Sequence, residues 1–309
     1  MKQRLLCFLV LSLYCCTKET EITESELAPT VRISLETTSQ NIVESKATVR
    51  EEFNTINLFV FDSEGSLLYQ RYYDNIINNT LTFVGVVGKS QVIMIANVEE
   101  ITSAITSIDD ITSLSEQTTN LDAMYTDKTI ELERATSSSQ VVDYGTFYFT
   151  RYIAKVSVVL DFTGLDCNVS ITPTQIAIKQ IPSSVVLWGD NTPKTSEITS
   201  DGDSYRDNLT PRTHQDATPF YMFENLQGTG SYTNEKRPAR GSRKCCTYIE
   251  ITTEYTLYCD TYEVTYRHYI GNNETDNFDI NRNTWYRYTV YFTGYGGFYE
   301  NSWRVSITR

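Results

Sequence analysis

Arg151-Tyr152-Ile153-Ala154-Lys155-Val156-Ser157-Val158-Val159-Leu160-Asp161 lies at the middle of the chain. Its β-branched residues and its period of two describe a long strand with one face toward a core. The same signature recurs on both sides. Downstream, Gln175 to Ile181, Phe220 to Phe223, Cys246 to Tyr258, Tyr262 to Ile270, Trp285 to Phe292 and Trp303 to Ile307 read as strands. Loops rich in Ser, Thr, Asp, Gly and Pro separate them, chiefly 189–219 and 228–244. Upstream, Thr30-Val31-Arg32-Ile33-Ser34-Leu35-Glu36 alternates cleanly, with Val31, Ile33 and Leu35 on one face. Ile56 to Phe61 is a more fully buried strand closed by the turn Asp62-Ser63-Glu64-Gly65. Leu67 to Tyr73, Leu81 to Val87, Gln91 to Ala96, Lys128 to Leu132 and Val141 to Phe149 continue the series. Only between Val98 and Tyr125 does the period lengthen. Ile101, Ile105, Ile108, Ile111 and Leu114 recur every three or four residues and predict one or two short helices.

Many short strands with such turns define an all-β fold of two tandem β-sandwiches, with the helices in the first. The predicted division is an N-terminal sandwich over 30–150 and a C-terminal one over 151–309. The 22 tyrosines, against 4 methionines and 2 histidines, agree with a chain of pleated, half-buried surfaces.

The first residues are of a different kind. Lys2 and Arg4 precede an apolar run, Leu5 to Tyr14, which ends in Cys15-Cys16 and then Thr17-Lys18-Glu19-Thr20-Glu21. A spanning helix takes roughly 20 apolar residues, so this run is an export signal and not a membrane anchor. It ends without the small residues of an ordinary cleavage site. Leu13 stands three before Cys16 and Cys15 just before it, a register that resembles a bacterial lipobox. Residues 1–15 are therefore expected to be removed and Cys16 to carry the acyl chains, which anchor firmly when there are two or more. Residues 16–29 are polar, acidic and aperiodic, as a tether is.

Charge and chemistry narrow the function. The formal net charge is −13, and −15 once Lys2 and Arg4 leave with the signal. Nucleic-acid binding is driven by cationic patches, so no nucleic-acid partner is expected. The one basic cluster, Lys236 to Lys244, lies in a Gly/Pro loop. His214 and His268 each lack a neighbouring nucleophile motif, and no G-x-S-x-G, P-loop, G-x-G-x-x-G or H-E-x-x-H occurs. The chain is read as a non-enzyme, with no cofactor. Cys167, Cys245, Cys246 and Cys259 lie beyond the leader; their spacing is wrong for zinc, so no metal site is expected. In an oxidising compartment, Cys245 or Cys246 reaching Cys259 across a hairpin, or no bond at all, are both open.

The ordered series of features resembles the fimbrillins, the pilus proteins of Bacteroidetes. It runs from the lipobox and Val31 to Leu35, through Phe61-Asp62-x-x-Gly65, Val92 to Asn97 and the 151–160 strand with Ala154-Lys155. It ends with Pro219 to Asn225, and with Phe278-Asp279-Ile280-Asn281-Arg282-Asn283-Thr284-Trp285-Tyr286 leading to Gly294 and the Trp303 strand. The Phe220-Tyr221-x-x-Glu224-Asn225 and Arg282-Asn283-x-x-Tyr286 segments are the more specific. The resemblance implies two transthyretin-like sandwiches in a subunit exported through the periplasm as an outer-membrane lipoprotein and displayed at the cell surface in a fimbrium. It implies that an arginine-specific protease cuts after the first strand, here at Arg50, the sole arginine of loop 37–52. Val31, Ile33 and Leu35 would then be the inward residues of a displaceable strand, whose groove takes a strand from another subunit. The chain extends little past Trp303, which favours a minor, tip or anchor subunit over a shaft subunit. The competing reading is a stand-alone surface lipoprotein that binds glycan or host protein through Tyr286, Tyr288, Tyr291, Tyr295, Phe298 and Tyr299.

Overall fold

The computed structural model describes residues 28–38, 52–112, 114, 117–137, 139–188, 198–199, 202–230, 236, 238, 245–296 and 303–308. Among the described residues the protein is all-β apart from one turn of helix. Its first part comprises β1 (Thr30–Thr37), β2 (Ile56–Phe61), β3 (Leu67–Tyr73), β4 (Thr80–Val84), β5 (Gly88–Ala96), α1 (Ile108–Thr112), β6 (Gln117–Thr118), β7 (Met124–Leu132) and β8 (Val141–Arg151). Then follow β9 (Ile153–Leu165), β10 (Val169–Lys179), β11 (Ile181–Pro182), β12 (Val185–Val186), β13 (Ile198–Thr199), β14 (Ser204–Tyr205), β15 (Phe220–Phe223), β16 (Tyr248–Leu257), β17 (Asp260–Tyr269), β18 (Trp285–Gly294) and β19 (Trp303–Thr308).

The first strands run in the order β3-β2-β5-β7-β8-β1-β4. β7 and β8 pair as strands only at Met124↔Arg151 and Tyr125↔Thr150, so the sheet folds over at that seam. Its two parts face each other across one core, to which β1 contributes Val31, Ile33 and Leu35, β4 Leu81 and Phe83, and β8 Phe147 and Phe149. The later strands form two sheets, β15-β9-β18-β19 and β14-β10-β16-β17, around a second core.

A third apolar cluster explains why two strands read as unbroken hydrophobic runs. Ile56, Leu58 and Val60 of β2, and Val92 and Met94 of β5, point into the first core. Their neighbours Phe59, Phe61, Ile93 and Ile95 point the other way, onto Tyr152, Ile153, Val185, Tyr221 and Phe223. Both faces of these strands are covered, so alternation disappears. The predicted helical stretch belongs to this cluster too: Ile101, Ile105, Ile111 and Leu114 are buried there, but only Ile108–Thr112 is helical. Asp110 Oδ2 accepts the Thr106 and Ser107 N–H groups, both at 2.8 Å, and ties the segment into a tight turn.

Of the alternatives left open for Cys259, a bond to Cys245 or Cys246 does not fit the geometry. Cys259 sits in the turn between β16 and β17, whereas Cys245 and Cys246 precede the far end of the ten-residue β16. At about 3.3 Å of rise per residue the pairs are some 30 Å apart, against the roughly 7 Å limit between bonded Cα atoms. The three are thiols here.

His268 is buried on β17 against the Tyr288 ring, with centroids 6.2 Å apart. Burial, with the Lys236 ammonium nearby, holds its imidazole down at about 3 from an ordinary 6.5. In the unfolded chain it protonates near 6.5, so stability is complete above that pH and is lost as pH falls toward 3. The slope approaches about 1.4 kcal/mol per pH unit. Thermal melts between pH 7 and 4.5 are expected to show this fall, and His268→Phe to flatten it; an equally steep profile in the variant rules the assignment out.

Candidate strand-exchange site

β1 is an inner strand. It pairs antiparallel with β4 over Thr30↔Val84 to Ser34↔Thr80, and parallel with β8 over Thr30↔Val141 to Thr37↔Phe149. Val31 and Ile33 are fully buried and Leu35 is 1% exposed, while Arg32, Ser34 and Glu36 face water. The predicted inward set is thus brought together on the core side. Each such side chain contributes about 1.5–3 kcal/mol on burial. Without β1, two ladders and one wall of the core would be open.

Both ends of β1 are fixed. At its start, the Gly85 N–H donates to Pro29 O at 2.8 Å. Gly85 permits this approach, because a Cβ there would come within 2.8 Å of Val31 Cγ2, 2.4 Å of Leu132 Cδ1 and 3.1 Å of Pro29 O. Gly85→Ala is expected to cost about 1–3 kcal/mol by overpacking. It should also raise hydrogen exchange at Val31 and Ile33 above that in β16; uniform loss across both sandwiches would show that the glycine does not serve β1. At its far end, the Thr38 N–H donates to Phe149 O at 2.8 Å, and Asn283 Nδ2 donates to Thr38 Oγ1 at 2.9 Å.

That contact leads to the corner built from the two sequence segments singled out above. The guanidinium of Arg282 donates to Glu224 Oε2 from Nη2 at 2.6 Å and from Nε at 3.0 Å, and the Arg282 backbone N–H reaches Oε1 at 3.2 Å. Its Cζ lies 5.5 Å from the Tyr125 ring centroid and 5.3 Å from that of Tyr152. Asn225 Nδ2 donates to Thr247 Oγ1 at 2.8 Å and to Cys245 O at 3.1 Å. Asn283, at φ +54°, donates its N–H to Ile153 O at 2.7 Å. These residues join the 220–225 strand end, the 281–284 turn and the end of β1. Sequence marked both segments, but a contact across 58 positions leaves no spacing signal. Gly85 and Thr38 had no local signal of any kind.

Cys16 and Arg50 lie outside the described residues. The aromatic set of the competing reading does not form one surface: Tyr286 and Tyr288 are fully buried, with hydroxyls bonded to Asn272 Oδ1 and Gly271 O. Tyr291 and Tyr295 are 37% and 39% exposed, and Phe298 and Tyr299 lie outside the described residues. A polar cleft of about 630 Å³ lies beside Asn54, Tyr72, Asn97, Glu99 and Asn120. Its amides are already bonded to the backbone: Asn97 Nδ2 donates to Glu52 O and Asp122 O, and Asn120 Nδ2 to Asn97 O.

Residues 220–290, which carry the Glu224–Arg282 corner, match a family described only as a domain of unknown function, DUF4906. No curated protein matches the sequence. Among solved structures, a fimbrilin of Porphyromonas gingivalis superposes with a TM-score of 0.58 at 13% identity, over 91% of this chain and 96% of its own. A candidate cell adhesion protein of Bacteroides eggerthii gives 0.56 at 14% identity, over 91% and 95%. Another, from Parabacteroides distasonis, gives 0.56 at 15%, over 92% and 96%. The chain has the fold of these fimbrial and adhesion proteins along nearly its whole length.

Proposed function

We propose that this protein is a structural, adhesive subunit of a cell-surface pilus of the fimbrillin kind, assembled by strand exchange at the β1 position. The observation that carries the reading is β1 itself: an inner strand, buried through Val31, Ile33 and Leu35, next to the loop that contains Arg50. Cleavage after Arg50 would sever β1 from the rest of its sandwich and leave it held only by non-covalent contacts. The subunit is exported as a lipoprotein acylated at Cys16, reaches the outer membrane, and has other fimbrial subunits as its partners. It works by packing and adhesion rather than by catalysis.

A sequence correspondence supplies the incoming strand. β1 reads Val31-Arg32-Ile33-Ser34-Leu35, and β19 reads Trp303-Arg304-Val305-Ser306-Ile307. Both alternate apolar, Arg, β-branched, Ser and aliphatic residues. A β19-like strand offers a β1 groove the same inward chemistry and the same polar outer row. Such an exchange replaces like with like, so its net driving force is small, and severing β1 is what makes it run. In this chain β19 is laid along β18 from Arg287↔Thr308 to Phe292↔Trp303. A subunit that accepts a strand while keeping its own fits an end of the fibre, so a minor, tip or anchor position is favoured. Binding of glycan or host protein as a stand-alone lipoprotein is the weaker reading, since neither the dispersed tyrosines nor the cleft offers a ready platform.

The test is limited digestion of the lipid-free folded protein with an arginine-specific protease. A single new N-terminus at Glu51, with the cleaved protein then taking up an added Trp303–Thr308 peptide in place of β1, is expected. Resistance at Arg50 in the folded chain, or cleavage without strand uptake, removes the strand-exchange reading.

A further inference from the structure

We infer that β17 is a docking edge for a second copy of this chain, the two β17 strands pairing antiparallel about Thr265 so that Glu263 of each meets Arg267 of the other. β17 closes the sheet β14-β10-β16-β17, and among the described residues no strand lies beyond it. Its open side can be read from the ladder. The Ile270 N–H donates to Thr247 O at 3.0 Å, and β16 and β17 pair from Tyr248↔Tyr269 to Leu257↔Asp260 without a shift. Bonded and non-bonded pairs alternate, so the even-numbered residues of β17 bond to β16. Thr261, Glu263, Thr265 and Arg267 turn their N–H and C=O groups to the open side, and all four are exposed. Such an edge is usually blunted by a bulge, a proline or a short strand. β17 is ten residues long, keeps an unbroken register and contains no proline.

Charge selects the occupant. On the outer face of the sheet Glu263 stands directly opposite Glu254 of β16. Like charges so placed repel. Their neighbours in the sheet, Thr172, Thr252, Thr256, Thr261 and Thr265, are uncharged. Further along the same face, Arg267 Nη2 lies 3.2 Å from Glu250 Oε2 and its Cζ 4.4 Å from the Tyr248 ring centroid, with the side chain still 52% exposed.

A second strand centred on Thr265 sets Arg267 of one chain opposite Glu263 of the other, and two-fold symmetry repeats the contact. Each guanidinium then lies between Glu250 of its own chain and the Glu254–Glu263 pair of the second. Neighbouring registers lose this match. Centring on Val264 or Tyr266 leaves both charges opposite threonine or tyrosine, and centring on Glu263 or Arg267 sets like charges together. On the core side, Tyr262, which is 45% exposed, and half-buried Val264 gain cover from the second copy. The association joins subunits side by side through the second sandwich. It requires neither cleavage at Arg50 nor displacement of β1.

The test is sedimentation velocity on the folded, lipid-free, uncleaved protein at micromolar concentrations. The parent is expected to show a monomer–dimer equilibrium. Glu263→Arg and Arg267→Glu each bring like charges together twice, and each should weaken the dimer about tenfold or more. The double variant Glu263→Arg/Arg267→Glu restores both pairs and should recover the dimer. Glu263→Arg also relieves the repulsion with Glu254, so it should melt no lower than the parent while losing the dimer, which separates an interface effect from misfolding. Thr265→Cys should give, on oxidation, a dimer linked between the two 265 positions, since bonded opposite residues have Cα atoms about 5.5 Å apart, within disulfide reach. Peptide mapping distinguishes that link from any through the native cysteines. A parent that stays monomeric, a dimer indifferent to both single reversals, no recovery in the double variant, or linkage only through native cysteines overturns the inference.

Discussion

Glu224→Ala is expected to destabilise the protein by about 3–5 kcal/mol, the usual result of removing one member of a buried ion pair. The side chains of Arg282 and Glu224 are only 14% and 8% exposed. Alanine would leave the guanidinium under the Tyr125 and Tyr152 rings without its carboxylate, and would orphan the Arg282 backbone N–H that now reaches Oε1. The loss should register as a fall in melting temperature of roughly 2–4 °C per kcal/mol for a chain of this order of length. Glu224→Gln keeps an acceptor and should be milder. The double variant Glu224→Ala/Arg282→Met should recover part of the loss, because it leaves no uncompensated buried charge. A single Glu224→Ala variant that melts with the parent would mean that the corner does not hold the fold together.

Ile33→Asp has the next largest expected effect, above about 4 kcal/mol, from a lost core side chain and a carboxyl forced into an apolar site. Ile33 is fully buried at the centre of β1, between Leu81 on one side and the Gly145–Thr146 region of β8 on the other. The damage should be local. β1 and β4 should lose hydrogen-exchange protection, whereas the core around Tyr255, Tyr288 and Phe292 should keep its own. A synthetic peptide Trp303–Thr308 added in trans should restore protection to β4, because it can occupy the position that the altered strand vacates. Damage spread equally over both cores would count against a separable first strand.

Much of this was legible in the sequence, and the exceptions share a cause. The inward set of β1 could be read off Val31, Ile33 and Leu35, since one face is buried and one is wet. The 151–161 stretch announced a strand, although the chain turns at Tyr152 and the ladder runs on to Leu165. The residues Ile101 to Leu114 misled in part. Their spacing is that of a helix, yet a loop packed on Phe59, Phe61, Ile93 and Ile95 buries the same isoleucines with one helical turn. The tyrosines of β18 misled in another way. Alternation shows that Tyr286 and Tyr288 share a face but does not say which face is covered. What stayed invisible were relations between distant segments: β1 beside β8, Thr38 beside Asn283, and Glu224 beside Arg282. Those depend on sheet order, which local pattern does not encode.

If β1 is a replaceable part of a sandwich that otherwise holds, its removal should open β4 and β8 and nothing else. Hydrogen exchange at the amides of β4 and β8, read after cutting at Arg50 and removing the released segment, tests it most directly. Protection at Leu81 and Phe83 is expected to fall sharply when β1 leaves and to return on addition of a Trp303–Thr308 peptide, with β16 and β18 unchanged throughout. Unchanged protection after removal, or a loss that neither the Trp303–Thr308 peptide nor the β1 peptide Thr30–Thr37 restores, would contradict it.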